Sequence, residues 1–573
     1  MRTSRGDSGG SRGGRTPSRW GAVLAVAAMV LLMLASGLGW AVASPMGGAP
    51  DDDYHLGSIW CPRPAYESCP SKVDGDRVLV QVPEAVGESS SSSLAPLGGT
   101  CYSFRTQESA ACVLTYSDTR THWINRYDDG GYPGGFYRFH HLLVTGDPER
   151  SAVLMRGVNV LIATTLVTLL WLGAQRRDRL ALTVAVLVSW VPMGVYFIAS
   201  NNPSSWAVTG TFVYGAGMLL ATRSHGSRRV LLLVTALIGA LLCLATRYDT
   251  SFYLFVVAVA LALAVPWNRK RLPEAVMAVV LALVGTWWMI QGTIAGRSAG
   301  AQSSAGGHSE LWDRLVTGVL TAPKYVAGFY GQFWLPGWID VHLDQFAPFV
   351  LGVLALGGCV MAGLARGSWR TWLSTTVVVG AMLGIPAVFY AVGLFPDIFS
   401  YQARYNLPLL AVAVFFLLVA GGERCFEMRP AQLAGICLCV VGGFALTMHS
   451  VMFRYVHGMD VEEFLNLDYQ ASWWWSELVP GPMLVWMTAC VAFTLLVVAA
   501  LWLSRRQGAA VLTSPFSPLL GDCATGASRT GSEQEPDGDA VAADGAGRGP
   551  ATEAGAHRGG TDAAPSRGGR GRD

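Results

Sequence analysis

Between Trp20 and Leu503 the chain runs repeatedly for about 20 residues with scarcely a charged side chain. No other feature limits its fold so tightly. A helix of about that length crosses the hydrocarbon core of a bilayer, and only helices and closed barrels satisfy their own backbone there. Roughly twelve such stretches can be placed. They lie at 20–43, 152–174, 180–200, 206–221, 230–246, 252–267, 275–291, 346–365, 373–394, 407–421, 433–449 and 482–503. Charge agrees with this: 14% of the 573 residues are Asp, Glu, Lys or Arg, against about 25% in soluble domains. A soluble enzyme, a disordered scaffold and a fibrous protein are thereby excluded. The expected fold is an all-α polytopic membrane protein with about 12 transmembrane helices.

Basic residues of short loops stay on the cytoplasmic side. The first 19 residues hold Arg2, Arg5, Arg12, Arg15 and Arg19, and after them every second loop is basic. Those loops carry Arg176, Arg177 and Arg179; Arg223, Arg228 and Arg229; Arg269, Lys270 and Arg271; Arg366 and Arg370; Arg424 and Arg429; and Arg505 and Arg506. The loop 200–205 between them has no Lys or Arg. This alternation places both termini in the cytoplasm. Ala41-Val42-Ala43-Ser44 resembles a signal-peptidase site, but the apolar run before it is long for a signal peptide, so a retained anchor is expected.

The chain then divides into a disordered basic tail (1–19), helix one (20–43), an extracytoplasmic loop domain (44–150), helices two to seven (151–292), a second external loop (293–345), helices eight to twelve (346–503, with an external loop at 450–481) and a disordered cytoplasmic tail (504–573). In the first external segment Arg77–Val82 alternates as a strand does, and Ser89–Ser93 reads as a floppy excursion. Four of the 11 cysteines, Cys61, Cys69, Cys101 and Cys112, lie there, outside, where disulfides persist. The short closures Cys61–Cys69 and Cys101–Cys112 are favoured, with a zinc site as the competing reading. Leu311–Val316 reads as an interfacial helix, and Trp473-Trp474-Trp475 as interfacial anchors or, alternatively, a sugar-stacking platform. The Gly-, Ala- and Ser-rich tail from Ala509 buries too little to fold.

No phosphate-binding glycine loop and no His-Glu-x-x-His occurs. Ionisable residues are nearly absent from the spans, which argues against an ion-coupled transporter. The net charge of +2 gives no reason to expect a nucleic-acid partner. The notable charges sit at the external ends of spans. The densest group is Pro50-Asp51-Asp52-Asp53-Tyr54-His55. Adjacent carboxylates beside an imidazole suit a general base, or they hold a divalent metal; a solvated acidic turn is the plain alternative. On the same face lie Asn201-Asn202-Pro203, Arg247-Tyr248-Asp249, Asp128, Asp129, His140 and His141, then Trp338, Asp340, His342 and Asp344, and finally Gln402, Arg404 and Tyr405. Arg247 and Arg404 stand against the positive-inside bias. External arginines beside tyrosines suit a lipid phosphate. Simple snorkelling of Arg to the headgroups is the other reading.

These residues carry a resemblance. Pro50–His55 resembles the proline–aspartate–acidic–x–x–histidine motif after the first span of the bacterial domain-of-unknown-function family 2142. Asn202–Trp206 resembles its asparagine–proline motif. Gly331-Gln332-Phe333-Trp334 through Trp338-Ile339-Asp340 resembles its glycine–x–aromatic–leucine–aspartate stretch. Gln402–Pro408 resembles its glutamine–glycine–arginine–tyrosine–x–leucine–proline motif, with Ala403 in place of glycine; in the Pro50–His55 motif, Asp53 stands where proline is common. The resemblance runs from about 20 to 505. That family looks like a distant member of the glycosyltransferase C superfamily, whose polytopic enzymes take sugars from polyprenyl-phosphate carriers with an acidic residue in the first external loop. The resemblance implies a glycosyltransferase in the bacterial cytoplasmic membrane, acting in cell-envelope glycan assembly. It implies Asp51, Asp52 and His55 as catalytic residues, with Arg404, Tyr405, Gln402, Arg247, Asn202 and Asp340 around the substrate. It implies a polyprenyl-phosphate sugar donor and a glycan or glycolipid acceptor, no definite cofactor, and a divalent metal as an option. The rival is a non-catalytic protein that binds or translocates a lipid-linked glycan.

Overall fold

The computed structural model describes residues 19–75, 77–87, 100–116, 120–298, 308–343, 346–365, 367–395, 397–419, 426, 428–462, 464–475 and 479–506. Arg2, Arg5, Arg12, Arg15, Ser89–Ser93, Asp344, Arg366, Arg424 and the tail from Ala509 lie outside them.

Helix α1 (Arg19–Val42) leads into α2 (Asp52–Trp60), the turn α3 (Ala65–Ser68), and strands β1 (Ser71–Asp74), β2 (Arg77–Pro83) and β3 (Thr121–Ile124). A short helix α4 (Gly135–His141) follows. The strands form one antiparallel sheet in the order β1-β2-β3, with Ser71 opposite Val80 and Val80 opposite Ile124. Arg77–Val82 is thus strand, as its alternation predicts. Cys61 is bonded to Cys69 and Cys101 to Cys112, the two short closures expected from spacing.

Beyond this segment the chain is helical: α5 (Pro148–Gly173), α6 (Arg176–Trp190), α7 (Met193–Ile198), α8 (Ser204–Ala221), α9 (Gly226–Thr246), α10 (Tyr248–Ala264) and α11 (Leu272–Ser298). Then come α12 (His308–Gly328), the kinked turn α13 (Pro336–Ile339), α14 (Ala347–Leu364), α15 (Trp369–Ala391), α16 (Leu407–Val419), α17 (Pro430–His457) and α18 (Pro482–Arg506). Local chemistry sets several of their ends. Asp147 caps α5 by accepting from the Arg150 backbone at 3.1 Å, with Pro148 in the first turn, where its missing N–H costs nothing. Ser368 and Thr371 make a reciprocal capping box on α15. Pro192 separates α6 from α7, since it cannot donate to the helix ladder.

Each of the expected apolar stretches falls on a helix, the one at 180–200 on the broken pair α6–α7. Among the described residues eight helices are long and apolar enough to cross a membrane, namely α1, α5, α9, α11, α14, α15, α17 and α18, while α10 and α16 are shorter apolar helices. The difference from twelve has a physical cause. α6 has 15 residues and opens on Arg176, Arg177 and Arg179. α8 is diluted by Ser204, Ser205, Thr209, Gly210 and Thr211. Every residue of α8 and of α16 is buried, so these two form the inner shaft and need no lipid-facing side. The surrounding helices expose Leu283, Leu354, Met361, Leu438 and Val498. So much exposed apolar surface fits lipid, not water.

The Trp triplet departs from its expected interfacial place. Trp474 and Trp475 are buried, and the Trp475 indole donates to the Val42 carbonyl at 2.9 Å. They close the end of α1 rather than anchor in headgroups. The amphipathic stretch at Leu311–Val316 is helix, within α12.

Candidate functional site

The site is built on the turn that follows α1. Residues 43–50 are all buried, which obliges their carbonyls to find donors. Tyr102 Oη donates to Met46 at 2.6 Å, Tyr196 Oη to Gly48 at 3.2 Å, and Tyr455 Oη to Gly48 at 2.5 Å. Arg156, inside α5 and fully buried, donates to the carbonyls of Ala41, Ser44 and Pro45 at 3.0, 2.7 and 2.8 Å. Asn202 Nδ2 donates to Pro50 at 2.7 Å, while its Oδ1 accepts from the Ser204 backbone at 2.8 Å. Asn202 therefore shapes the turn and holds the backbone just ahead of α8.

Held in this way, Asp51 takes a left-handed backbone (φ 59°) as it opens α2. Asp tolerates that region better than most residues, yet the conformation is uncommon and must be imposed by its surroundings. The three carboxylates diverge from there. Asp52 is fully buried and ion-paired to Arg156 at 3.1 Å. Asp53, 2% exposed, takes a two-pronged contact from Arg126. Asp51 keeps 38% of its side chain exposed, pairs with Arg404 and lies 3.7 Å from Arg126. Of the three, only Asp51 is open to an incoming molecule.

Electrostatics separates them further. Burial alone would raise the Asp51 pKa, but Arg404 and Arg126 outweigh it and hold the carboxyl below its ordinary value. Burial pushes Asp52 up to about 6 against the pull of Arg156. Burial likewise raises Asp53 despite Arg126. His55 is buried, its Nδ1 is 2.9 Å from Tyr137 Oη, and burial drives its pKa down to about 3. It is a neutral ring among Tyr54, Tyr132 and Tyr137.

Arg404 sits in a short 3₁₀ turn, Ala403–Tyr405. This turn is fixed by Tyr253 Oη donating to the Tyr405 carbonyl at 2.7 Å and by Tyr401 Oη donating to Asn406 Oδ1 at 3.0 Å. The Arg404 guanidinium is 5.2 Å from the centre of the Tyr405 ring. Its side chain is 5% exposed. Among the described residues its Nε and Nη1 are buried without a hydrogen-bond partner. Such donors are costly to bury unless something accepts from them. Gln402 and Arg404 line a cavity of about 10 Å³ with Pro50 and Phe197.

Other expected residues are placed differently. Arg247 lies near the cluster, its guanidinium 4.2 Å from the Tyr405 ring and 5.7 Å from the Tyr132 ring. Its charge, however, is taken by Asp249 through bonds of 2.9 and 2.8 Å. Asp340 is turned away, bound to the fully buried Arg454 at 2.9 and 2.8 Å. Arg454 also donates to the carbonyls of Glu108 and Arg105 at 2.7 and 2.8 Å, tying the Cys101–Cys112 loop to α17. Asp128 is buried, accepting from Tyr54 Oη at 3.3 Å and facing Arg63 at 3.4 Å. His140 bonds Asn159 at 3.0 Å and His141 lies 2.9 Å from the Ile59 carbonyl. Asp129 and His342 are exposed.

Arg126, Arg156 and Tyr132 are absent from the motif reading. Arg126 belongs to no motif, so nothing near it in sequence marks it. Arg156 did carry a signal: a charged residue inside an apolar span is costly and always needs a partner. Among the described residues no group of three or more His, Cys, Asp or Glu is arranged to hold a metal ion. The carboxylates at 51–53 are engaged by guanidinium groups instead.

The family model described as "Predicted membrane protein (DUF2142)" matches residues 34–413. That range takes in the acidic turn, Arg126, Arg156, Arg247 and Arg404. No curated protein and no solved structure matches the chain.

Proposed function

The chain belongs to the DUF2142 family of predicted membrane proteins, and from that premise and the Asp51–Arg404 pair we propose that it is a membrane glycosyltransferase using a polyprenyl-phosphate sugar. It acts on the outer face of a bacterial cytoplasmic membrane, with a glycosyltransferase C-like bundle of twelve spans and both termini in the cytoplasm. The observation that carries the reading is the state of the pair. Asp51 is the exposed carboxylate and stays ionised, and it stands against an arginine with two buried donors that have no hydrogen-bond partner among the described residues.

In the proposed reaction the donor phosphate takes the place of Asp51 on Arg404. The freed Asp51 carboxylate accepts the proton of an acceptor hydroxyl. The acceptor oxygen bonds to the anomeric carbon from the face opposite the phosphate, and the bond from that carbon to the phosphate oxygen breaks. The electron pair leaves with the phosphate, whose charge Arg404 stabilises. No acid is needed, because the leaving group departs as an anion. Asp52 and Asp53 keep their partners and hold the turn. His55, neutral and hydrogen-bonded to Tyr137, stays buried beside the turn. The test compares polyprenyl-phosphate sugars and envelope glycans in cells with the gene, without it, and with Asp51→Asn. The proposal expects the D51N strain to match the deletion at normal protein level. Unchanged glycans and sugar carriers in both strains would refute it.

A further inference from the structure

A large open cleft of about 1220 Å³ lies away from Asp51 and Arg404, neither of which lines it. One wall comes from the small disulfide-bonded segment and carries Arg63, Lys72 and Arg138, with Asp129 among them. The other comes from the flanks of α9 and α11 and includes Leu241, Val284 and Trp287. Leu241 and Trp287 are 53% and 54% exposed, on two helices long and apolar enough to cross a membrane. The cleft is therefore continuous with lipid-facing surface below and cationic above.

The basic side chains are not all neutralised. Arg63 faces Asp128 at 3.4 Å and donates to the Tyr132 carbonyl at 2.5 Å. Arg138 is exposed and donates to the Arg63 carbonyl at 3.2 Å. Lys72 lies 4.5 Å from the centre of the Trp123 ring. Among the described residues neither Arg138 nor Lys72 has a carboxylate within ion-pair distance. Tyr66 and Val73, on the same wall, are 77% and 76% exposed. Apolar side chains so exposed beside basic ones suit the headgroup boundary of a bilayer.

We propose that this cleft binds a membrane lipid with an anionic headgroup. Its phosphate rests against Arg138 and Lys72, and its chains run along Leu241, Val284 and Trp287. A soluble anion would use the basic wall and leave the apolar one in water, whereas a zwitterionic lipid would use the apolar wall with little electrostatic gain. This site does not depend on glycosyl transfer. It meets the Asp51 region through Tyr132, whose carbonyl holds Arg63 and whose ring lies near Arg247, and through Asp128, which faces Arg63 and accepts from Tyr54.

The test is native mass spectrometry of the purified full-length protein titrated with phosphatidylglycerol or phosphatidylcholine. Wild type should retain phosphatidylglycerol preferentially, and equimolar inorganic phosphate should not displace it. K72A/R138A should weaken that retention on the order of tenfold, as loss of two basic side chains near an anionic headgroup implies. L241W, which fills the apolar wall, should weaken both lipids. Asp51→Asn should retain lipid as wild type does, so failure of the transfer reading and failure of this one are told apart. Equal retention of both lipids by wild type, displacement by inorganic phosphate, or unchanged retention in both K72A/R138A and L241W would overturn the proposal.

Discussion

Three consecutive aspartates have three different fates because each meets a different arginine. Asp52 and Arg156 are both fully buried and pay for that only as a pair. Replacing Arg156 by Met should cost about 3–5 kcal/mol of stability, because it strands a buried carboxylate and three carbonyls. Thermal unfolding in detergent reads this, and a D52L/R156M double variant should recover part of the loss. No recovery would mean that the carbonyl contacts, not the ion pair, hold the turn. His55 gives a pH signature. Its folded pKa of about 3 lies below the ordinary His value of about 6.5. The unfolded chain therefore takes up a proton that the folded one refuses. The stability His55 contributes is full above about pH 6.5 and is lost as pH falls toward 3. Asp52, raised to about 6, works the other way: its contribution is full below about pH 3.8 and is lost as pH rises through 6. The variant H55N should accordingly lose less melting temperature than wild type between pH 7 and 4; an equal or greater loss would remove His55 as the source. The Pro50–His55 motif was visible in sequence because its residues are adjacent. Its partner Arg126 was not, because folding alone brings such distant positions together, and Arg156 showed only as a charge inside an apolar span.

At the scale of elements, the helices were legible because a long apolar run has few alternatives, and β2 because alternation has period two. The inner position of α8 and α16 was less legible. Hydropathy reports what a helix contains, not whether lipid or protein surrounds it. The Trp triplet misled for the same reason, since a tryptophan serves equally as an interfacial anchor and as a plug over α1. Close helix packing is also written in small residues. A Cβ on Gly210 would lie 2.6 Å from the Gly239 carbonyl oxygen, and one on Gly239 would lie 2.8 Å from that of Gly210. Backbones approach so closely only where side chains are missing. Replacing Gly239 by Ala should part α8 from α9 and cost about 1–3 kcal/mol. Thermal unfolding in detergent checks this, and an unchanged midpoint would mean that the two helices slide without loss. Ala403 fits the same rule: it is fully buried, and a Cβ on Gly328 would lie 2.5 Å from its methyl group.

For the whole molecule, the proposed topology puts the acidic turn, Arg404 and the disulfide-bonded segment on the outer face. A cysteine placed at Asp74 should react with a membrane-impermeant thiol reagent in intact cells, and one placed at Lys270 should react only after lysis. The reverse pattern would put the candidate site in the cytoplasm and exclude an outer-face donor. That the chain is mostly helical, with several helices long and apolar enough to cross a membrane, followed from hydropathy alone. The candidate site followed only in outline, since Arg247 and Asp340 have carboxylate and guanidinium partners of their own that no motif announces. In the proposed reaction Asp51 is the base and Arg404 the phosphate ligand of one sugar transfer. The most direct measurement is release of polyprenyl phosphate from a polyprenyl-phosphate sugar by purified protein in proteoliposomes with envelope glycan acceptor. Wild type should release it, D51N should be slower by a factor on the order of 10² to 10⁴ as expected for a lost base, and R404K should fall with it. Release by D51N at the wild-type rate, or no release by wild type above protein-free vesicles, would contradict the claim.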